Sequence, residues 1–260
     1  MIDPHDDLGT AESPIKVTVM MNSYREKQKL FERAVKSVIN AGAYQLIVST
    51  VKGDPCIEWM QPFMGKLITK IVINDTPGIF QQINAMTPFI LGNYVCYSSS
   101  NDYMLHHKLK HEAGMLGKTG KKVCYSAFLV KSEVSARQYT AKFPGYSYEE
   151  NLQNSIVSDC AMVETKTFLK YMPFRVEYKN NAYRDLWLRI YEGEGDVFVY
   201  NPDPTWVYHV TEDSQHIRRK RNPELHRKNL QDRKDMLRDH VEEIIKILGE
   251  GHPVIDKILK

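Results

Sequence analysis

Ile15-Lys-Val-Thr-Val-Met-Met21, Leu30, Ala34, Val35, Val38 and Ile39 at helical spacing, and then Tyr44-Gln-Leu-Ile-Val-Ser-Thr-Val51 decide the fold. The first and last runs are rich in β-branched residues and read as buried strands. Between them, apolar side chains recur every three or four residues from Lys29 to Ala41, and Gly42 follows as a stop. Strand, helix and strand at this spacing make a βαβ unit. Working outward, Leu67–Ile73 reads as a third strand, Gly78–Met86 as a helix, Tyr94–Tyr97 as a strand, Leu105–Leu116 as a helix and Val123–Val130 as a strand. The expected class is α/β, a mostly parallel sheet flanked by helices on both faces. Glu133–Val157 is rich in Tyr, Ser, Gly and Asn and is expected to be an irregular active-site loop. Beyond it, Leu186–Ile190 sits in a helix, Val197–Tyr200 and Val207–Val210 are strands, and Pro223–Leu248 forms one long helix.

The chain has 260 residues, 42% of them hydrophobic, enough for one cored domain with an appendage. No apolar run reaches the roughly 18 residues of a membrane span. The acidic start, Met-Ile-Asp-Pro-His-Asp-Asp, lacks the basic and apolar regions of a secretory signal. Cys56, Cys96, Cys124 and Cys160 show no C-x-x-C spacing and suit reduced thiols, so a cytoplasmic protein is expected. The formal charge of +3 is the sum of two unlike regions. From His216 to Arg238 there are nine Lys and Arg against three acids, which leaves the remainder at −3. The expected divisions are a loose leader over 1–14, an α/β domain over 15–215 and a basic C-terminal helical segment over 216–260.

In open α/β sheets ligands bind outside the carboxyl ends of strands. The polar residues placed there are Asn22-Ser23-Tyr24, Ser49-Thr50-Val51-Lys52, Asn74-Asp75 and Ser98-Ser99-Ser100-Asn101-Asp102. The last run can hold a divalent cation on a diphosphate, or it can cap the helix that follows. His209, at a strand end, can be a ligand or a hydrogen-bonded structural residue. Asp185 can be a base at a helix N-terminus, or simply favour the helix dipole. His107 and His111 share a helix face, which suits solvent better than zinc. No G-x-S-x-G, P-loop or G-x-G-x-x-G motif occurs, which weighs against a hydrolase elbow, a P-loop NTPase and a dinucleotide-binding unit.

The order of these pieces resembles family 2 glycosyltransferases of the GT-A fold, over Ile15 to about Arg221. Val17-Thr-Val-Met-Met-Asn-Ser-Tyr24-Arg-Glu is similar to the family's opening strand and turn, and Ala34 to Asn40 to its first helix. Gly78 to Tyr94, with Asn84, is similar to its Gly-x-x-x-Ala-Arg-Asn segment, and Tyr97 to Leu109 falls on its metal stretch. Asp185-Leu-Trp-Leu-Arg189 matches the residues after its Glu-Asp pair, and Val207-Tyr-His209 through Ser214 its closing element. The resemblance implies metal-assisted transfer of a sugar, usually with inversion, from a nucleotide-diphosphate donor to an acceptor hydroxyl. By position it implies Asn22, Tyr24, Ser49, Asp75 and Asn84 at the donor. It implies Asn101, Asp102 and His209 at a Mn²⁺ or Mg²⁺ ion, and Asp185 as base, with Glu177 and Asp159 as alternatives. The chain departs from the family where Ser49 or Thr50 replaces an acid, Ser99 and Asn101 replace two metal carboxylates, Ile83 replaces an Arg, and Ala182-Tyr183 replaces the Glu-Asp pair.

Arg218, Arg219 and Arg221 follow the closing element directly and suit an anionic acceptor, a hydroxylated DNA base or an anionic glycan, or else a solvated face. The competing expectation is a non-catalytic GT-A-like module that binds nucleotide, glycan or nucleic acid. A nucleotidyltransferase is disfavoured by the His209 to Ser214 element.

Overall fold

The computed structural model describes residues 15–259; the expected leader over 1–14 lies outside them. Its strands are β1 (Val17–Asn22), β2 (Gln45–Val51), β3 (Ile68–Asn74), β4 (Tyr94–Ser99), β5 (Tyr103–Met104), β6 (Val123–Ser132), β7 (Gln138–Ala141), β8 (Met162–Glu164) and β9 (Phe198–Val210). Its α-helices are α1 (Gln28–Asn40), α2 (Cys56–Trp59), α3 (Ile79–Met86), α4 (Lys108–Thr119), α5 (Tyr148–Gln153), α6 (Thr165–Tyr171) and α7 (Ala182–Glu194). Four more, α8 (Gln215–Arg221), α9 (Pro223–Asp239), α10 (Val241–Leu248) and α11 (Pro253–Leu259), end the chain.

One sheet runs β3-β2-β1-β4-β8-β6-β9-β5, with β7 on β6. The four strands from β3 to β4 are parallel, β6 and β9 pair parallel, and short β8 joins the halves antiparallel to both neighbours. The α/β class and flanking helices are therefore as the sequence implies. Strand alternation places the core on both faces. On β1, Val17, Val19 and Met21 pack with Phe31, Ala34 and Val38 of α1. Met20 faces the other way, into the larger cluster with Phe80, Ile83, Leu186 and Trp187. A sheet covered on both sides needs apolar residues at successive positions, and this is why these strands read as continuous apolar runs.

Four expectations change in detail. Helix α4 starts at Lys108, because Leu105 N–H donates to Thr205 O at 2.8 Å and holds the preceding residues against β9. The two strands expected over 197–210 are one, β9, whose register against β6 shifts between Ser126 and Phe128. This irregularity accommodates Pro202 and Pro204, which cannot donate to a ladder. The irregular stretch 133–157 contains β7 and α5, and Phe143, Tyr146 and Tyr148 pack on the core while Tyr139 is exposed. Tyr146 stacks on Phe198 at 3.8 Å, and Tyr148 stacks on Tyr191 at 4.8 Å.

The long C-terminal helix breaks at His240, whose φ of −100° and ψ of 0° end α9 and begin α10. Met236, Leu237, Ile244, Val254, Ile255 and Ile258 join the buried cluster that contains α7. The C-terminal helices thus share the core of the sheet domain, across the expected boundary at 215/216.

Candidate active site

A cleft of about 1030 Å³ opens at the carboxyl ends of β1 and β4. Its walls carry Asn22 and Tyr24 after β1, Gln82 on α3, Tyr97 to Asp102 on and after β4, Asp159 before β8, and Tyr208 and Arg218 on and after β9. This is where a parallel sheet leaves strand-end amides and side chains unclaimed by its ladder.

At the β1 end, Tyr97 Oη donates to Asn22 Oδ1, and Asn22 Nδ2 donates to Gln82 Oε1 at 3.2 Å. Tyr24, 41% exposed, lines the same cleft, with the Arg25 guanidinium 5.1 Å from its ring centre. At the β4 end, Asp102 is buried, and its Oδ1 accepts the His209 backbone N–H at 2.8 Å. Desolvation pushes its carboxyl up to about 7 against the pull of that N–H bond, and the nearby Asp159 adds to the rise. Asp159 opens onto the cleft, while the surrounding protein excludes water from its other sides. This desolvation raises its carboxyl to about 6, opposed by the Arg219 charge. Lys108 Nζ steadies the neighbouring Cys160 carbonyl at 2.9 Å and is itself neutralised by buried Glu112 at 2.6 Å.

Of the residues implied at the donor, Asn22 and Tyr24 line this cleft; Ser49, Asp75 and Asn84 do not. Ser49 is fully buried, and its Oγ accepts from Asn74 Nδ2 at 2.7 Å. Asp75 is exposed beyond β3. Asn84 is spent on the backbone of Phe174: Nδ2 donates to its carbonyl at 3.0 Å, and Oδ1 accepts its N–H at 2.9 Å. Two hydrogen bonds of this kind are worth about 2 kcal/mol together. Asn84→Ala is accordingly expected to lower stability by about that amount in urea titrations and to leave ligand affinity in the cleft unchanged.

The implied metal set does not assemble. Asp102 is the single carboxylate of its run, and one of its oxygens is taken by His209 N–H. Asn101 Nδ2 donates to His209 O at 3.3 Å, while its Oδ1 accepts from Ser99 Oγ at 2.6 Å. The His209 ring lines a separate groove with Arg33 and Lys131, its Nε2 2.9 Å from Glu133. Burial, with the Arg33 charge beside it, lowers its pKa. The cause of this misplacement is strand parity. On β9 successive side chains alternate, so Trp206 and Tyr208 face the cleft and His209 faces away. Among the described residues no group of three or more His, Cys, Asp or Glu is arranged to hold an ion. A Mg²⁺-type ion is held by one or two carboxylates together with a ligand's phosphates; of the implied set, Asp102 offers such an ion one free oxygen at the cleft and the His209 ring offers none.

Asp185 is also displaced from its implied role. It is fully buried outside the cleft lining, with Oδ2 held by Arg189 at 2.9 Å and Oδ1 by His240 at 3.1 Å and Arg175 at 3.5 Å. A carboxylate so engaged neither reaches an acceptor nor has a free lone pair for its proton. Glu177 is exposed and likewise off the cleft, which leaves Asp159 as the alternative that faces it. Arg218 lines the cleft, Arg219 acts on Asp159, and Arg221 turns outward to pair with Glu212. Gln82 and Tyr208 were not marked by sequence. Gln82 falls with Phe80 and Ile83 on the buried side of α3, next to exposed Gln81, and a polar residue at a core-facing position is the available signal.

The four cysteines are buried and free. Among the described residues no helix is long and apolar enough to cross a membrane. No protein-family model matches the chain, and no curated protein sequence matches it. Solved structures do resemble it. S. aureus TarS 1–349 in complex with UDP-GlcNAc superposes with a TM-score of 0.71 at 16% identity, covering 94% of this chain and 70% of that one. The TarS 1–349 complex with UDP gives 0.69 at 15% identity, with 94% and 70% covered. A further S. aureus TarS structure gives 0.69 at 15% identity and 94% of this chain, but only 42% of its own length is matched. At such identities the likeness shows architecture, and the conclusion it supports is that this chain has a glycosyltransferase-like α/β fold.

Proposed function

We propose that the protein is a nucleotide-sugar-dependent glycosyltransferase whose general base is Asp159. The observation that carries this reading is a carboxylate free of ion pairs among the described residues, opening onto the strand-end cleft of a fold shared with a protein crystallised with UDP-GlcNAc. Asp159 takes the proton from an acceptor hydroxyl as that oxygen attacks the anomeric carbon. The bond from that carbon to the diphosphate breaks, and its electron pair leaves with the nucleoside diphosphate, so the configuration inverts. A carboxyl near pH 6 is mostly ionised at neutral pH and is a stronger base than an ordinary aspartate.

The leaving diphosphate needs positive charge. The residues after β4 offer a cation a single carboxylate, and cationic side chains supply the charge. Lys27 at the start of α1 and Arg218 on α8 both line the cleft, and neither makes an ion pair among the described residues. Arg219 and the exposed basic residues of α9 suit an anionic acceptor approaching along the C-terminal helices. DNA carrying a hydroxylated base is the acceptor to try first, with an anionic glycan as its control.

The test is release of nucleoside diphosphate from a panel of nucleotide sugars, with EDTA or Mn²⁺ and with either acceptor. Release that persists in EDTA, and acceptor binding that falls steeply with salt, are expected. No release from any donor in either condition would leave a binding module. Release only with Mn²⁺ would reject the cationic side chains as its replacement.

A further inference from the structure

The wall of the cleft around α3 holds a polar group with no protein partner. Gln82 is 1% exposed, and its Nε2 has no hydrogen-bond acceptor among the described residues. The amide cannot simply turn over by itself to resolve this. Its Oε1 already accepts from Asn22 Nδ2, and Asn22 Oδ1 in turn accepts from Tyr97 Oη. These bonds come from three elements, β1, β4 and α3, so the relay is held by the sheet and its covering helix. It ends in the Gln82 Nε2 amide, whose N–H groups are unpaired among the described residues, and Gln82 and Tyr24 both line the cleft. A buried donor left unpaired is unfavourable, and a ligand that pairs it recovers that free energy on binding.

We infer that Gln82 reads the nucleobase of the donor, donating from Nε2 to a ring carbonyl while the base lies against Tyr24. This rests on the glycosyltransferase reading above. The donor group is a neutral amide among Ile79, Phe80 and Ile83, which suits a neutral carbonyl better than a phosphate, whose charge would lose its hydration there. It also accounts for Ser49 and Thr50, one of which stands where the resemblance has an acid; both are buried, Ser49 against Asn74. Recognition has moved from the β2 end to α3. Uracil and guanine offer a carbonyl edge; adenine offers none. An N-acetyl group on the sugar carries the same carbonyl chemistry, so nucleotides with and without sugar separate the two sources.

Two variants test this at pH 8, using calorimetric binding of UDP, ADP, UDP-glucose and UDP-GlcNAc in EDTA. Gln82→Glu keeps an acceptor for Asn22 and replaces the outward donor with an oxygen. Gln82→Leu removes the hydrogen bond altogether. The wild type is expected to prefer UDP over ADP by on the order of tenfold or more, the worth of one well-placed buried hydrogen bond. Both variants should lose that preference chiefly through weaker UDP binding; Gln82→Glu buries a carboxylate and is expected to melt below the wild type, so binding is compared at a temperature at which circular dichroism shows all three proteins folded. An unchanged UDP-to-ADP ratio in Gln82→Glu overturns the inference. So does an effect confined to UDP-GlcNAc, which would assign Gln82 to the sugar. If no nucleoside diphosphate binds the wild type, with or without Mn²⁺, the glycosyltransferase reading falls and this inference with it.

Discussion

Asp159→Asn is expected to lower glycosyl transfer by roughly a hundred- to ten-thousandfold, the usual contribution of a positioned general base, and to leave UDP affinity within about twofold. The amide is nearly the same size and keeps the turn before β8, in which Ala161 N–H donates to Ser158 O at 3.1 Å. What it loses is the lone pair that receives the acceptor proton. The pH profile gives a second readout. Desolvation by the cleft walls raises the carboxyl of the otherwise exposed Asp159 from 3.8 to about 6 against the Arg219 charge, and the base works only when ionised. Turnover should therefore fall about tenfold per unit below pH 6 and level off above it. Asp102, at about 7, is the competing group in the cleft. Asp102→Asn retains an oxygen for the His209 N–H, so it should preserve both the fold and the inflection near 6. If that variant abolishes the inflection and Asp159→Asn does not, the roles are reversed.

His240→Ala is expected to destabilise the protein by about 3 kcal/mol at pH 6, a fall in Tm of about 10 °C. His240 is 3% exposed, with Nδ1 2.7 Å from Glu192 and Nε2 3.1 Å from Asp185. Burial opposes its charge, but the hydrogen bonds and charges of the two carboxylates outweigh that and raise its pKa from 6.5 to about 9. A raised folded-state pKa means that protonation stabilises the fold. This contribution is complete below pH 6.5 and is lost as pH rises through 9. The gap in Tm between wild type and variant should thus narrow between pH 6 and pH 9.5. Calorimetry across that range checks it; a gap independent of pH would mean that His240 acts by packing alone. Removing it leaves Glu192, among the described residues, with Tyr148 Oη at 2.7 Å, whereas Asp185 keeps Arg189 and Arg175.

The same network explains what was hard to see in the sequence. Asp185 follows the pattern of a catalytic helix start, and its spacing to Arg189 is visible at i, i+4. Its third partner is 55 residues away, on a helix whose interruption has no Gly or Pro to announce it. His240 breaks that helix because the ring is drawn inward to two carboxylates. His209 failed for a shorter-range reason, since one residue of strand parity decides which groove receives the ring. Asp159 has no motif around it. The sequence offers it only as one of two alternatives to Asp185, and the placement of β8 between β4 and β6 is what brings it to the cleft.

The sequence by itself determined the alternation of strands and helices, the parallel β1–β2–β4 core and the polar residues at its carboxyl edge. These follow from local apolar period and chain order, which a single chain displays directly. It also located the basic segment after β9. Only the tertiary structure decided which acids face the cleft, which are consumed by ion pairs, and which amide is left with an unpaired donor. Those outcomes depend on contacts between residues far apart in the chain, where burial and the competition for hydrogen bonds are settled in three dimensions.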